Sequence, residues 1–354
     1  MDNKIKVLIN VPRVNQTKGG VIDYFDSLSV YFSNDIKYNY VGSKSASRYF
    51  VFLQLWDYIR YILIIIWYQP KLIHLNPSLD KKSIFRDAVF LILAKMLFRK
   101  VLIFWRGWHE NTEEKVKPYL FRIIFNIADG FVVLAKSFKD KLLKWKISKP
   151  IYLETTKVDD KLLEGFNIQK KDYNKVTFLF LSSIFKTKGI YEAIKTFELI
   201  QNRHVDVELF IAGDGPEIDE IIKFTKYRKI KNVFFLGYVK GKQKKDVYLN
   251  SNIFLFPTYG EGMPNSVLEA MAFGLVIITR PVGGLKDFFK NNKMGFITES
   301  KEPIVYAEYI NNLMEDQEKI KKIGLYNHQY AKKHFLASIV AKRLRIIYEK
   351  MLSD

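Results

Sequence analysis

Short apolar runs of β-favouring residues alternate along this chain with longer segments whose apolar positions recur every three or four residues. That alternation is the pattern of parallel sheets built from β-α-β units. In the first half it predicts strands at Lys6–Val11, Leu72–Leu75, Val101–Phe104 and Phe131–Leu134. The first strand runs into a loop carrying Gly19 and Gly20, then a helix with Val21, Phe25, Leu28 and Phe32 on one face. A buried helix is expected over Ala88–Phe98. The polar stretch from Gly165 to Lys175 has no apolar period and reads as a linker. Beyond it the pattern restarts with strand Thr177–Leu181, helix Ile190–Ile200 and strands Val207–Ala212, Val233–Leu236 and Ile253–Pro257. A short helix over Asn265–Phe273 and strand Leu275–Thr279 follow. The closing helix carries Val340, Leu344, Ile347, Tyr348 and Met351 on one stripe. The prediction is α/β: two doubly wound units, residues 1–165 and 166–332, with a helix at 333–354 bracing them. Parallel sheets take ligands at the carboxyl ends of their strands, so two facing sheets predict a substrate cleft between the domains.

The length of 354 residues suits two domains, and 48% hydrophobic with 27% charged residues is an ordinary globular balance. No repeat or low-complexity segment appears. Cysteine is absent, which excludes disulfides and thiolate metal sites. The chain enters its first strand at once, with no signal-peptide pattern, so a cytoplasmic protein is expected. The most apolar window, Tyr61 to Tyr68, lies in an aromatic stretch that starts at Tyr49 and is broken by Asp57 and Arg60. It is too short and too charged to span a bilayer. It reads as a buried helix of an α/β layer, with a lipid-touching face as the alternative. The net charge of +20 is spread along the chain, with 28 Lys and Arg against 16 Asp and Glu in residues 1–170. Such a field attracts nucleic acid, anionic lipid or phosphorylated substrates without choosing among them, and a lysine-rich background explains it equally.

The chemistry concentrates in Tyr259-Gly-Glu-Gly-Met-Pro-Asn-Ser-Val-Leu-Glu269. A strand ends in a loop with Gly260 and Gly262, and the chain then enters a helix near Pro264, with Asn265 as its expected cap. Glycine lets backbone approach a ligand, and the amides of a helix start favour phosphate. Glu261 lies at the mouth of this loop and Glu269 about one turn inside the helix. Two carboxylates so placed suit the hydroxyls of a sugar and a ribose at the two ends of a pyrophosphate. A solvated helix-start Glu beside a surface Glu is the competing reading of the same spacing.

Glu261 and Glu269 resemble the E-x7-E motif of the family 4 (group 1) retaining glycosyltransferases, which have the GT-B fold. Pro257-Thr258, Glu261 through Ala272 and Pro281-Val-Gly-Gly284 are similar to that family in order, and the likeness extends over Phe178–Ile297. The resemblance implies a donor diphosphate neutralised by Lys188, sugar hydroxyls on Glu261 and ribose on Glu269. It adds Gly262, Met263, Pro264 and Asn265 as donor contacts. Val239, in Gly237-Tyr-Val239, falls where the family receives the base, which leaves UDP, GDP and ADP open. Five residues before Lys188 the family often carries Arg; here Ser183 stands, and either Lys186 supplies the charge or Lys188 and helix-start amides carry it. Phe210 to Glu217 resembles the family's Gly-Asp-Gly-Pro loop, read as shaping the cleft floor. Gly19 and Gly20 resemble its glycine pair near phosphates and acceptor. Phe104-Trp-Arg-Gly-Trp-His109 matches a strand-end segment in which Arg106 replaces a His and His109 meets donor or acceptor hydroxyls; a cap or core His fits too.

No Asp-x-Asp or metal-spaced cluster, Gly-x-Ser-x-Gly elbow or P-loop occurs, so a metal-independent transferase without cofactor is expected. Its partners are a nucleotide-sugar donor and a saccharide or lipid-linked acceptor in surface-polysaccharide synthesis. Peripheral contact with the anionic inner face of the plasma membrane is expected, and nucleic-acid binding is not. A phosphorylase or epimerase of the same fold, or a non-enzymatic glycan or nucleic-acid binder, are the alternatives.

Overall fold

The computed structural model describes residues 5–353 apart from 14–19, 33, 43–49, 109–112, 115 and 174. Gly19 and His109 therefore lie outside the described residues. The chain divides into two compact units, residues 1–156 with 337–354, and residues 157–336.

The first unit contains β1 (Val7–Pro12), β2 (Ile36–Val41), β3 (Leu72–Leu75), β4 (Ser78–Leu79), β5 (Lys100–Trp105), β6 (Gly107–Trp108), β7 (Gly130–Val133) and β8 (Ile151–Leu153). Six of these form one sheet in the order β2-β1-β3-β5-β7-β8, with every neighbour parallel, while β4 and β6 pair separately. Strands buried on both faces read as continuous apolar runs, as Val7, Leu8 and Ile9 do with no exposed surface. Between them run α1 (Gly20–Ser29), α2 (Phe50–Tyr68), α3 (Lys81–Met96), α4 (Pro118–Phe125) and α5 (Lys136–Lys144). The step from β1 to β2 goes one way along the sheet and every later step goes the other. Right-handed crossovers therefore put α1 on one face and α2 to α5 on the opposite face. The contacts agree: α2 packs on α3 and α3 on α4.

The expectation of a simply buried helix around Tyr61–Tyr68 is corrected by α2. Tyr61, Ile65 and Tyr68 do face the interior, but every exposed side chain of its described part is apolar. The charges that break the apolar run face the other way: Asp57 is buried, ion-paired to Arg13 and accepting from the Gly42 amide at 2.7 Å. Arg60 donates to Asn39 Oδ1 at 2.9 Å.

The second unit contains β9 (Thr177–Leu181), β10 (Glu208–Ala212), β11 (Val233–Gly237), β12 (Ile253–Phe256), β13 (Val276–Thr279) and β14 (Gly295–Ile297), ordered β11-β10-β9-β12-β13-β14 and all parallel. Its helices are α6 (Ile190–Gln201), α7 (Ile218–Tyr227), α8 (Gly241–Leu249), α9 (Asn265–Ala272), α10 (Leu285–Phe288), α11 (Pro303–Met314) and α12 (Gln317–His334). The chain winds outward from β9 through β10 to β11, then jumps back beside β9 and winds the other way. The adjacent ends of β9 and β12 are thus a topological switch point, where open α/β sheets leave a crevice at their carboxyl edge.

The polar stretch at 165–175 is fastened to this second unit. Lys171 Nζ donates to the carbonyls of Tyr248 and Leu249 at 3.1 Å, and Asn252 donates to Asp172 O at 2.8 Å. Burial pushes the Lys171 ammonium down to about 7. The closing helix α13 (Ala337–Ser353) belongs to the first unit, packing on α1. There the Tyr348 hydroxyl meets His74 Nδ1 at 2.7 Å and Arg343 pairs with Glu154.

Candidate active site

The loops leaving β9 and β12 are laced together. After β9 the chain makes a single 3-10 turn, Lys186–Lys188, that ends on Gly189 at φ 76°. A Cβ on Gly189 would stand 2.2 Å from Pro257 O, so backbone from the β12 loop presses directly on the turn. The Tyr259 amide donates to Thr187 O at 2.9 Å and the Tyr259 hydroxyl to Glu192 at 2.7 Å. On its far side the loop is held by Gly283 and Gly284. A Cβ on Gly283 would reach within 2.0 Å of Gly262 O, and the Gly284 amide donates to that same oxygen at 2.8 Å. The result is a direct Lys188–Glu261 ion pair spanning two strand ends, with both side chains about one-fifth exposed.

Glu269 occupies a different environment. Helix α9 is buried from Val267 onward, and Glu269 is 3% exposed. Such a carboxylate needs partners. The Tyr248 hydroxyl donates to it at 2.9 Å and Lys244 Nζ stands 2.7 Å away. Burial first, and the Glu269 charge second, push the Tyr248 hydroxyl well above its ordinary range, so it stays a donor. Tyr248 is itself fixed by stacking on Phe273.

The expected cap at Asn265 is corrected. The cap position is Pro264, with no side-chain bond, and Asn265 is the first helical residue. The Val267 and Leu268 amides turn back to Pro264 O at 3.2 and 3.4 Å. Asn265 Oδ1 is buried without a hydrogen-bond partner. Proline lacks a side chain that could accept from the first turn, so the helix start leaves its donors to another group.

Lys188, rather than Lys186, stands at Glu261; Lys186 Nζ lies over the Tyr191 ring at 5.8 Å. Ser183 is exposed, Gly262 and Val239 are half-buried, and Met263 and Pro264 are buried beneath the loop. The Gly213-Asp-Gly215 segment braces the turn after β9, with the Ile184 amide on Asp214 O at 2.9 Å and a Gly215 Cβ position 2.4 Å from Ile184 O. Gly20 starts α1 in the first unit, and Arg106 lies there over the Tyr24 ring at 3.6 Å. Among the described residues no group of three or more His, Asp and Glu could hold a metal ion.

Three residues of this neighbourhood escape sequence reasoning. Lys244 and Tyr248, four apart on α8, share the face that reaches Glu269; that spacing is their only signal. Arg280 follows β13 with its guanidinium over the Tyr259 ring at 5.6 Å and its Nε buried without a partner.

Residues 164–330 match the family model of glycosyl transferases group 1. A capsular polysaccharide biosynthesis glycosyltransferase, CapM of Staphylococcus aureus, is 29% identical over 224 residues, 62% of this chain and 58% of that protein. Spore coat protein SA of Bacillus subtilis is 30% identical over 187 residues, half of each chain. The matched stretch thus spans less than two thirds of these relatives. In three dimensions HepE from Anabaena, solved in complex with UDP, superposes with a TM-score of 0.77 at 12% identity, over 98% of this chain and 100% of its own. The whole chain therefore has the GT-B fold, and its second unit is matched almost end to end by the model of the group 1 glycosyl transferases.

Proposed function

We propose that this protein moves a hexose from a nucleoside-diphosphate sugar to a saccharide or lipid-linked acceptor, with retention, in surface-polysaccharide synthesis. The observation that carries this reading is the Lys188–Glu261 pair at the β9/β12 switch point, beside a helix start without a side-chain cap. In the reaction the bond between the anomeric carbon and the phosphate oxygen breaks, the acceptor hydroxyl bonds to that carbon, and its proton passes to the departing phosphate oxygen. Charge builds on the departing diphosphate. Lys188 has three donors, so it holds Glu261 with one and meets the phosphate with the others. Stabilising charge where it develops is the largest rate term in such transfers. Glu261 then receives sugar hydroxyls and Glu269 the ribose, where Lys244 and Tyr248 hold its carboxylate in place.

Leaving-group charge is met here without a metal, and the acceptor roles of Gly19, Gly20 and His109 belong to the first unit. The work is done on the inner face of the plasma membrane. HepE binds UDP, which makes UDP the first nucleotide to test. A thermal-shift panel of UDP, GDP and ADP should single out one that raises Tm in the wild type. Glu269→Gln should keep the melting behaviour and lose that shift. A Glu269→Gln protein with unchanged nucleotide affinity would sink the donor assignment.

A further inference from the structure

We propose that the outer face of α2, continued over α3 and α4, docks on an anionic lipid bilayer without crossing it. The proposal deepens the acceptor reading above, yet rests on a different part of the molecule. Helix α2 has 19 residues, about 28 Å of helix, and its exposed stripe is apolar throughout, from Phe52 through Trp56 and Leu63 to Trp67. An ordinary surface helix carries charge on the side away from its sheet. Here Asp57 and Arg60 are turned inward and engaged by Arg13 and Asn39. The neighbouring helices extend the same surface: Phe85 and Met96 are exposed on α3, and Tyr119 and Ile123 on α4. Just past α3, Phe98 is 95% exposed. Neighbouring helices stand about 9 Å apart, so three adjacent helices that each expose large apolar side chains form the kind of surface that marks an interaction site.

Charge selects the occupant. From α2 through α4, residues 50–125 hold twelve Lys and Arg against six Asp and Glu, and Arg60, Arg86 and Arg106 among these cations are engaged inside the protein. Asp57 and Asp87 are buried and paired with arginines, Asp80 caps α3 and Glu113 pairs with Lys141, so the acidic side chains of α2 and α3 are not offered to an approaching anionic surface. At the margin Lys37 Nζ lies 3.7 Å over the Trp67 ring, and Arg122 lies 5.7 Å over Tyr119. Tryptophan and tyrosine beside cations are the anchors of a bilayer interface, where the rings sit at headgroup level and the cations meet phosphate. A protein partner would ask for about one hydrogen bond per 100–200 Å², and the exposed stripe of α2 has no side-chain polar atom besides the two indole N–H groups. Among the described residues no helix is long and apolar enough to cross a membrane, so the surface lies on lipid rather than through it.

The test is flotation of the full chain with phosphatidylcholine vesicles, with and without phosphatidylglycerol. The wild type should float with the anionic vesicles, and high salt should weaken binding without abolishing it. Trp56→Glu with Leu63→Glu should lower the partition about tenfold or more, with unchanged melting and an unchanged nucleotide-induced Tm shift. Failure of the wild type to float, equal flotation of the double variant, or a solution dimer that this variant dissociates would each overturn the proposal. The nucleotide shift in the same samples reads the donor assignment separately, so either idea fails alone.

Discussion

At the scale of single residues, the buried carboxylate of Glu269 explains why Lys244 and Tyr248 sit where they do. A hydrogen bond to a charged acceptor contributes about 1.5–3 kcal/mol. Tyr248→Phe keeps the stack on Phe273 but removes one of the two groups that aim Glu269. Calorimetry should show nucleotide affinity about tenfold weaker with the fold retained; unchanged affinity would reduce Tyr248 to packing. His74 gives a second test. Burial, with Arg106 nearby, pushes its imidazole from 6.5 down to about 3. Above 6.5 both folded and unfolded chains are neutral at this ring, and between 6.5 and 3 only the unfolded chain takes up the proton. Stability therefore falls with acid across that window, by at most about 5 kcal/mol from this group. In His74→Phe that slope should be shallower in denaturant titrations at successive pH values; an identical slope would refute the assignment. Glu261, Glu269 and Lys188 were legible through the resemblance of their loops to a known family, while spacing alone left solvated side chains as an equal reading. Lys244 was not, because a contact between two helices 25 residues apart leaves no local pattern.

At the scale of elements, strand positions followed from apolar runs, since a strand covered on both faces has no polar alternation to confuse it. Ends were less legible: β12 stops at Phe256, because the chain bends at Pro257 to rest on Gly189. That contact sets a prediction. At φ 76° with carbonyl oxygen 2.2 Å from its Cβ position, Gly189→Ala should cost about 2–4 kcal/mol. Chemical denaturation checks the stability, and because the turn carries Lys188, the transfer rate should fall as well. A neutral substitution would show that the turn yields easily. Helix α2 was recognised as apolar and read as buried, with a lipid-touching face as the alternative, because periodicity marks an apolar side and α2 has two.

At the scale of the whole molecule, the proposed chemistry places its positive charge on Lys188 and on a helix start. Transfer activity should therefore survive excess EDTA, and loss of activity restored by magnesium would overturn metal independence. Lys188→Ala should lower the turnover about 100- to 1,000-fold with little change in melting, read by steady-state release of nucleoside diphosphate. By itself the sequence determined the α/β class, because strand and helix periods are local properties of the chain, and the resemblance of its loops to a known family singled out the carboxylate, lysine and glycine candidates. Only the tertiary structure decided that β9 and β12 are neighbours, that Lys188 meets Glu261, and that α2 turns its charges inward and its aromatics to solvent. Those facts depend on which element lies beside which, and a one-dimensional pattern of apolar positions says what wants covering without saying what covers it.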